Sequence, residues 1–356
     1  MIDFLIIGGG IAGTSAAARL APLGNVTVLE AEPALGYHAS GRSAALFEQN
    51  YGSPSTIALN RASRAYHDAA DVLSPRGLLL VGSPDTTEAF EADKAGMEMD
   101  EITLAEARAM VPILHPETVT CAAYHAEALD IDTDKLLQGY ARTARSHGAQ
   151  IITGAQVSAI TKTAQGWAVT AGETYEARIL INAAGPWVDQ IATLAGIPKI
   201  NTTPYRRSMA RIPAPDGHEV RAWPMLFGPG ETWYAKPDAG ALIVSPADED
   251  ATTPHDAWAD DMTLAIGIAR YQEVVTAEVT RMIGNWAGLR TFAPDRSLVI
   301  GFEATDPTFF WLAGQGGYGM QSSPAASQLA ADLIAGKTPE IDVKSLATLD
   351  PARFRN

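Results

Sequence analysis

Gly8-Gly9-Gly10-Ile11-Ala12-Gly13 follows directly on the apolar run Phe4 to Ile7, and Glu30 stands at the end of the next apolar run, Val26 to Leu29. The pattern G-x-G-x-x-G is weak by itself. Between a buried strand and a helix, with an acid about 20 residues further on, it has the physical parts of a dinucleotide site. Gly8 permits the tight turn, Gly10 lets a pyrophosphate approach the backbone, and Gly13 lets helix and strand pack closely. The helix begins at Ile11 and Ala12, and its free N–H groups face the phosphates. Glu30, followed by Ala31, accepts hydrogen bonds from the ribose hydroxyls. A glycine-rich turn of some other α/β protein would not bring strand, helix and acid into register together.

Outward from this unit, Ala31 to about Pro54 has no periodicity and is rich in Gly, Ser and Tyr. A loop of that length in a compact protein is usually functional. Helical spacing follows at Ser55 to Val72, Thr86 to Met97, Leu104 to Met110 and Thr133 to His147. Val157 to Ile181 reads as three strands with turns near Gln165 and Gly172, and a helix starts near Trp187. From Thr202 to Val244 the pattern becomes strand and turn, the mark of an antiparallel sheet, with one helix from about Met262 to Val275. Strands near Leu298 and at Phe309 to Leu312 come next, and a helix from Ser322 to Ile334 closes the fold. The expected class is α/β with an α+β second lobe. Residues 1–80, 145–200 and 285–356 form the nucleotide domain, and 81–144 and 201–284 an interleaved substrate domain.

A second glycine pattern, Gly314-Gln315-Gly316-Gly317-Tyr318-Gly319, also follows a strand and precedes a helix. No buried strand follows Ile334, so a second nucleotide-binding half cannot be completed there. The better reading is a close backbone approach to a flavin ring, with the positive end of the last helix favouring the reduced, anionic ring. The dinucleotide is then FAD.

The chain of 356 residues carries a formal charge of −15 and one cysteine, Cys121. Such acidity repels phosphate backbones and anionic lipid, so nucleic acid is not an expected partner. A single cysteine excludes an internal disulfide and a cysteine metal cluster, and the seven histidines are scattered, so no metal is expected. No basic leader precedes the first strand and no apolar run is long enough to span a membrane. The expected location is cytoplasmic.

The N-terminal GGGIAG with Glu30, NAAG at Asn182 to Gly185 and GQGGYGMQ at Gly314 to Gln321 resemble the glycine oxidase/D-amino acid oxidase superfamily of FAD enzymes. Within it, the chain is most similar to the bacterial D-arginine dehydrogenases. The shared stretches are GYHASGRSAA at Gly36 to Ala45, DIDTD at Asp130 to Asp134, RRS at Arg206 to Ser208 and WPML around Pro224. YAKPDAG at Tyr234 to Gly240 and WAGLR at Trp286 to Arg290 complete the set. The resemblance implies a Rossmann-type FAD-binding domain of the glutathione-reductase type with an interleaved antiparallel-sheet substrate domain. It implies FAD contacts from His38, Ser40, Arg42, Ser43, Ala44, Ala45, Val157, Ala184, Gly185, Trp187, Gly288, Gly316, Gly317, Tyr318, Gly319 and Gln321. FAD is expected to be non-covalent, although some relatives attach it through a histidine in a setting like that of His38. The substrate carboxylate is implied to sit on Arg290 and Tyr234, with Tyr51 and Arg207 at further substrate positions.

The sequence departs from the D-arginine dehydrogenases where they read the side chain. Leu78 stands at the position of the acid that meets a guanidinium, Leu46 at that of an active-site histidine, and Glu48 at that of a threonine. Leu46 and Leu78 make the pocket more apolar, with Glu48 and Tyr318 beside them, and the loss of the acid removes the counter-ion for a cationic side chain. Glu48 either brings a new charge from another direction or faces solvent. The implied reaction is oxidative deamination of a small or apolar amino acid, with hydride passing from Cα to flavin N5 and the imine hydrolysing to an oxo-acid. Oxygen or a respiratory acceptor reoxidises the flavin. Alternatives are an N-substituted amino acid of the glycine or sarcosine type, a 2-hydroxy acid, a non-catalytic flavoprotein subunit, and an NAD-dependent enzyme.

Overall fold

In the computed structural model, which describes residues 1–355, the glycine pattern sits in a β-α-β unit: β1 (Ile2–Ile7), α1 (Ile11–Leu20) and β2 (Val26–Leu29). The two strands pair in parallel, Ile6 opposite Val28. Phe4 to Ile7 is a continuous apolar run and all of β2 is buried because the sheet is covered on both faces. The alanines of α1 let the helix lie close to the sheet. A Cβ at Gly13 would stand 1.8 Å from the carbonyl oxygen of Gly8, so only glycine fits this crossing.

β1 and β2 lie in an eight-stranded sheet with the order Ala159–Thr163, Gly166–Ala171, Glu173–Asn182, β1, β2, Gln150–Ile152. Asp306–Ala313 also pairs in parallel with the end of Glu173–Asn182, and Val299–Glu303 pairs beyond it. Trp167, Phe309 and Trp311 fill one face of the sheet and are almost fully buried. The Trp311 indole donates to the Glu303 carboxylate at 3.0 Å, and Arg355 bonds the same group at 2.7 Å. These partners outweigh the cost of burial and hold the Glu303 carboxyl down at a pKa of about 2.

The second sheet has nine strands and is largely antiparallel, with Thr203–Pro213 near one end paired along its length with Gly284–Phe292. Its middle is Tyr234–Asp238, Met225–Phe227, Leu78–Gly82 and Cys121–His125. Leu78–Gly82 is buried throughout. Helix α2 (Pro54–Ala69), capped by the Ser53 side chain, packs on the long C-terminal helix Gly319–Ile334.

The elements follow the periodicity except where strands are short. Leu78–Gly82, Cys121–His125 and Gln150–Ile152 lack the length to show an alternation, and the strand Leu46–Phe47 lies within the segment read as a loop. The last long helix starts at Gly319, three residues before the periodicity begins to register. Sheet membership cuts across the expected division at two edges. Leu78–Gly82 and Gly284–Phe292 both belong to the second sheet, because Leu78–Leu80 pair with Met225–Phe227 and Arg290 pairs with Tyr205.

Candidate active site

Where β1 runs into α1, an elongated cavity of about 420 Å³ opens over the carboxyl ends of the parallel strands. Its wall brings together Gly8, Gly10, Glu30, Ala31, His38, Ser40, Val157, Ala184, Gly185 and Trp187. Near Gly8 and Gly10 the wall is backbone, and Leu29, Tyr37, His38, Trp187 and Ile191 complete it with larger side chains. Gly8 has φ +109°, and a Cβ there would meet the Ala183 carbonyl oxygen at 2.4 Å. Glu30 accepts from the N–H of Gly9 at 2.5 Å and of Glu32 at 2.8 Å, which fixes the carboxylate at the cavity edge. His38 is held by Glu32 at 2.9 Å and packs its ring against Trp187.

A second cavity continues the first, sharing Gly10, Ser40 and Gly185 with it. Ile11, Ala12, Arg42, Ser43, Ala44, Arg207, Gly288, Arg290, Gly316, Gly317 and Gly319 line it. The Ser40 hydroxyl accepts from the N–H of Ile11 at 2.9 Å, so the loop is docked on the start of α1. Arg42 commits its guanidinium to the protein, donating to Asp256 and to the carbonyls of Ala257 and Ala287. The glycines at 316, 317 and 319 form a side-chain-free floor under the N-terminus of the last long helix. The groove from Glu30 to Arg290 joins the Glu30 carboxylate, the start of α1 and the glycine run before the last long helix, and FAD fits this set of groups.

The third cavity, about 110 Å³, adjoins the second through Ser43, Ala44, Arg290 and Gly317. Arg290 comes from the strand Gly284–Phe292 and lies pressed under the glycine run: a Cβ at Gly317 would sit 2.9 Å from its Cζ. Burial works against its charge, but Tyr51, Tyr234 and Glu231 outweigh burial and push its pKa above the usual arginine value. Burial pushes the Tyr51 phenol well above its ordinary range. The Tyr234 hydroxyl donates to the Met209 sulfur at 3.2 Å. Leu46, Leu78, Met97, Met225 and Phe227 form an apolar wall.

Glu48 interrupts that wall. It is 3% exposed, and its carboxylate accepts from the Asn50 N–H at 3.0 Å and bonds His125 Nδ1 at 2.7 Å. Its own N–H donates to the Gln321 side chain at 3.0 Å. Burial raises its pKa against these partners. The solvent-facing alternative for Glu48 is therefore excluded; the pairing of Leu46–Phe47 with Leu129–Asp130 brings Glu48 against His125.

Most residues expected from sequence meet in these cavities, with four qualifications. Ala45 and Gln321, expected at the cofactor, line the third cavity and neither of the first two. Gly13 lies behind the turn and acts through packing. Tyr318 stands off the cavity wall, its ring 5.1 Å from that of Tyr51. Arg207 lines the second cavity and not the third, its guanidinium bonded to the Asp248 carbonyl at 3.0 Å. Residues the sequence reading missed are Glu231, His125, Met97, Met225 and Phe227. The turn Gly228-Pro229-Gly230-Glu231, three residues before Tyr234, is the one local signal for Glu231; His125 has none. Among the described residues no group of three or more His, Cys, Asp or Glu could hold a metal ion, and no helix is long and apolar enough to cross a membrane.

Comparison with known proteins shows the family. The chain is 24% identical over 366 residues to the glycine oxidase of Geobacillus kaustophilus, covering 96% of this chain and 95% of that protein. It is 27% identical over 240 residues to the L-2-hydroxyglutarate dehydrogenase of Escherichia coli K12, covering 62% of this chain and 56% of that one. The crystal structure of L-proline dehydrogenase from P. horikoshii superposes with a TM-score of 0.85 at 22% identity, over 99% of this chain and 98% of the other. The sequence model of the FAD dependent oxidoreductase family matches residues 3–333. The chain belongs to that family, within the glycine oxidase/D-amino acid oxidase superfamily, and is an FAD-dependent oxidoreductase.

Proposed function

We propose that the protein oxidises a small α-amino acid to an imine, which water hydrolyses to the oxo-acid. The observation that carries this is the half-buried Arg290, placed between the second and third cavities with Tyr51 and Tyr234 beside it. A guanidinium in that position fixes a carboxylate in one orientation by a two-point contact. The tyrosines add hydroxyls near the same oxygens, and the apolar wall accepts what projects from Cα. A cavity of about 110 Å³ restricts the ligand to a small one. When bound, FAD supplies the acceptor for the hydride that leaves Cα. What the chain contributes is positioning and exclusion of water, terms that together reach several kcal/mol in enzymes.

FAD is held without a covalent bond in this reading: His38 is engaged by Glu32 at the end of the groove marked by Glu30. Residues around Gly8 to Ala45, Val157, Ala184 to Trp187 and Gly288 to Gln321 hold it. The nucleotide domain comprises the first sheet and its helices, and the substrate domain comprises the second sheet. Oxygen or a respiratory acceptor takes the electrons onward.

A second reading keeps the site and changes the substrate. Likeness to glycine oxidase over nearly the whole chain favours glycine or an N-substituted amino acid, and likeness to L-2-hydroxyglutarate dehydrogenase favours a 2-hydroxy acid. One experiment separates them. The FAD-loaded protein is mixed anaerobically with glycine, sarcosine, paired D- and L-forms of alanine, proline and leucine, and the matching 2-hydroxy acids, and flavin bleaching is followed before air is admitted. Bleaching by amino acids is the expected result. Bleaching by hydroxy acids alone overturns the amine reading.

A further inference from the structure

Glu48 is a carboxylate in a place where apolar surface would serve a merely apolar substrate. It lines the small cavity with Leu46, Leu78 and Arg290, and it is 3% exposed. Burying a charge there is costly unless the protein supplies partners, and this chain supplies two to the carboxylate. His125 bonds one carboxylate oxygen, the Asn50 N–H bonds the other, and Gln321 holds the Glu48 backbone. Asn50 is held in turn by Arg61 and Glu98. So elaborate a support for one acid points to a task inside the cavity.

The chemistry of the proposed reaction leaves a proton unassigned. At neutral pH an α-amino acid is an ammonium ion, and a hydride cannot leave Cα while the nitrogen lone pair is tied up in an N–H bond. Resting on the amino-acid reading above, we infer that Glu48, positioned by His125, is the proton acceptor for the substrate ammonium. An N–H bond breaks, its electron pair stays on nitrogen, and an O–H bond forms on Glu48. The free lone pair then drives hydride departure, and Glu48 returns the proton to water after product leaves. Because burial raises the Glu48 pKa, the carboxyl is a better proton acceptor than an exposed one. The charged and titratable groups around it are His125 and Glu127 on one side, Arg61 and Glu98 behind Asn50, and Tyr51, Glu231 and Arg290 across the cavity.

The test measures the anaerobic rate of flavin reduction against pH, with whichever amino acid of the panel above reduces the holoenzyme fastest. Glu48→Gln should slow reduction about 100-fold near neutral pH. The deficit should close as pH rises and the substrate amine becomes neutral in solution. A structural role would not give that pH-dependent recovery. A deficit of equal size at all pH values, or no deficit, overturns the role. Should Glu48→Gln fail to load FAD, His125→Gln decides. It keeps the carboxylate but removes a partner that lowers its pKa, so the acidic limb of the wild-type profile should move to higher pH. An unmoved limb overturns the role. Wild-type protein that no amino acid reduces overturns the amino-acid reading itself, and this role with it.

Discussion

Where Gly8 and Gly10 face Ala183–Gly185, the walls of the groove are backbone and small side chains, contributed by one β-α-β unit and the segment packed on it. Around Glu48 they are large side chains from separate elements: Tyr51 before α2, Leu78 and Phe227 from neighbouring strands, Met97 from the end of a helix, Arg290 from another strand. The two regions meet at Arg290 and teach different lessons. A surface made of peptide groups is fixed by the fold and tolerates little, since any Cβ intrudes. A surface made of side chains can be rewritten one residue at a time while the fold stands.

The largest effect should come from breaking the first region. Gly13→Val drives a side chain into the Gly8 carbonyl, and with a Cβ 1.8 Å away the helix must leave the strand. We expect destabilisation above about 3 kcal/mol and protein that purifies without flavin absorbance. A yellow, normally stable variant would show that the crossing is looser than its geometry. Next in size, Arg290→Ala should lower kcat/KM about 100- to 1000-fold, the scale of a lost charge-paired contact to substrate, while flavin absorbance persists. Loss of flavin together with activity would place Arg290 in the first region.

Rewriting the second region should have a smaller and more selective effect. Leu78→Glu is expected to improve kcat/KM for D-lysine and D-arginine relative to D-leucine by about tenfold, a difference of about 1.4 kcal/mol. Absence of any gain would mean that position 78 does not face the substrate side chain. The smallest effect concerns acid. Glu303 has a depressed pKa in the folded protein, so its contribution is present above pH 4.5, the ordinary value, and is lost as pH falls towards about 2. Glu303→Gln should therefore lower stability by about 1–3 kcal/mol at neutral pH, and the gap to wild type should narrow in thermal melts near pH 2. A gap that does not depend on pH would assign the effect to packing against Trp311.

The sequence was legible where function depends on backbone. Gly8, Gly10, Gly13 and Glu30 are spaced by the geometry of one turn and two strands, and that spacing survives in the linear chain. The glycine run at 314–319 was legible for the same reason. Arg290 and Tyr234 came into view through resemblance alone, because nothing in a strand sequence marks which side chain will face a cavity. Glu48 and His125 lie 77 residues apart and meet where the strand Leu46–Phe47, just before Glu48, pairs with Leu129–Ile131, which follows His125. Both strands are too short to announce themselves, so their meeting was invisible until the sheet was built.

The C-terminal helix has a gap in its ladder at Pro324, which has no N–H to give to Met320. The Ser323 hydroxyl takes up the Met320 carbonyl, His67 Nε2 lies 2.9 Å from the Gln321 carbonyl, and the Ala325 N–H turns to Ser63. Two of these substitute partners belong to α2, so the first turns of the Gly319–Ile334 helix are not self-supporting; a shorter helix, Val343–Leu349, follows it in the chain. In amide hydrogen exchange the turn carrying Gln321 and the Ser63–His67 stretch of α2 should open as a single cooperative unit. The cavity wall at Glu48 would then report, on the exchange timescale, on the integrity of a helix that contributes nothing to its lining.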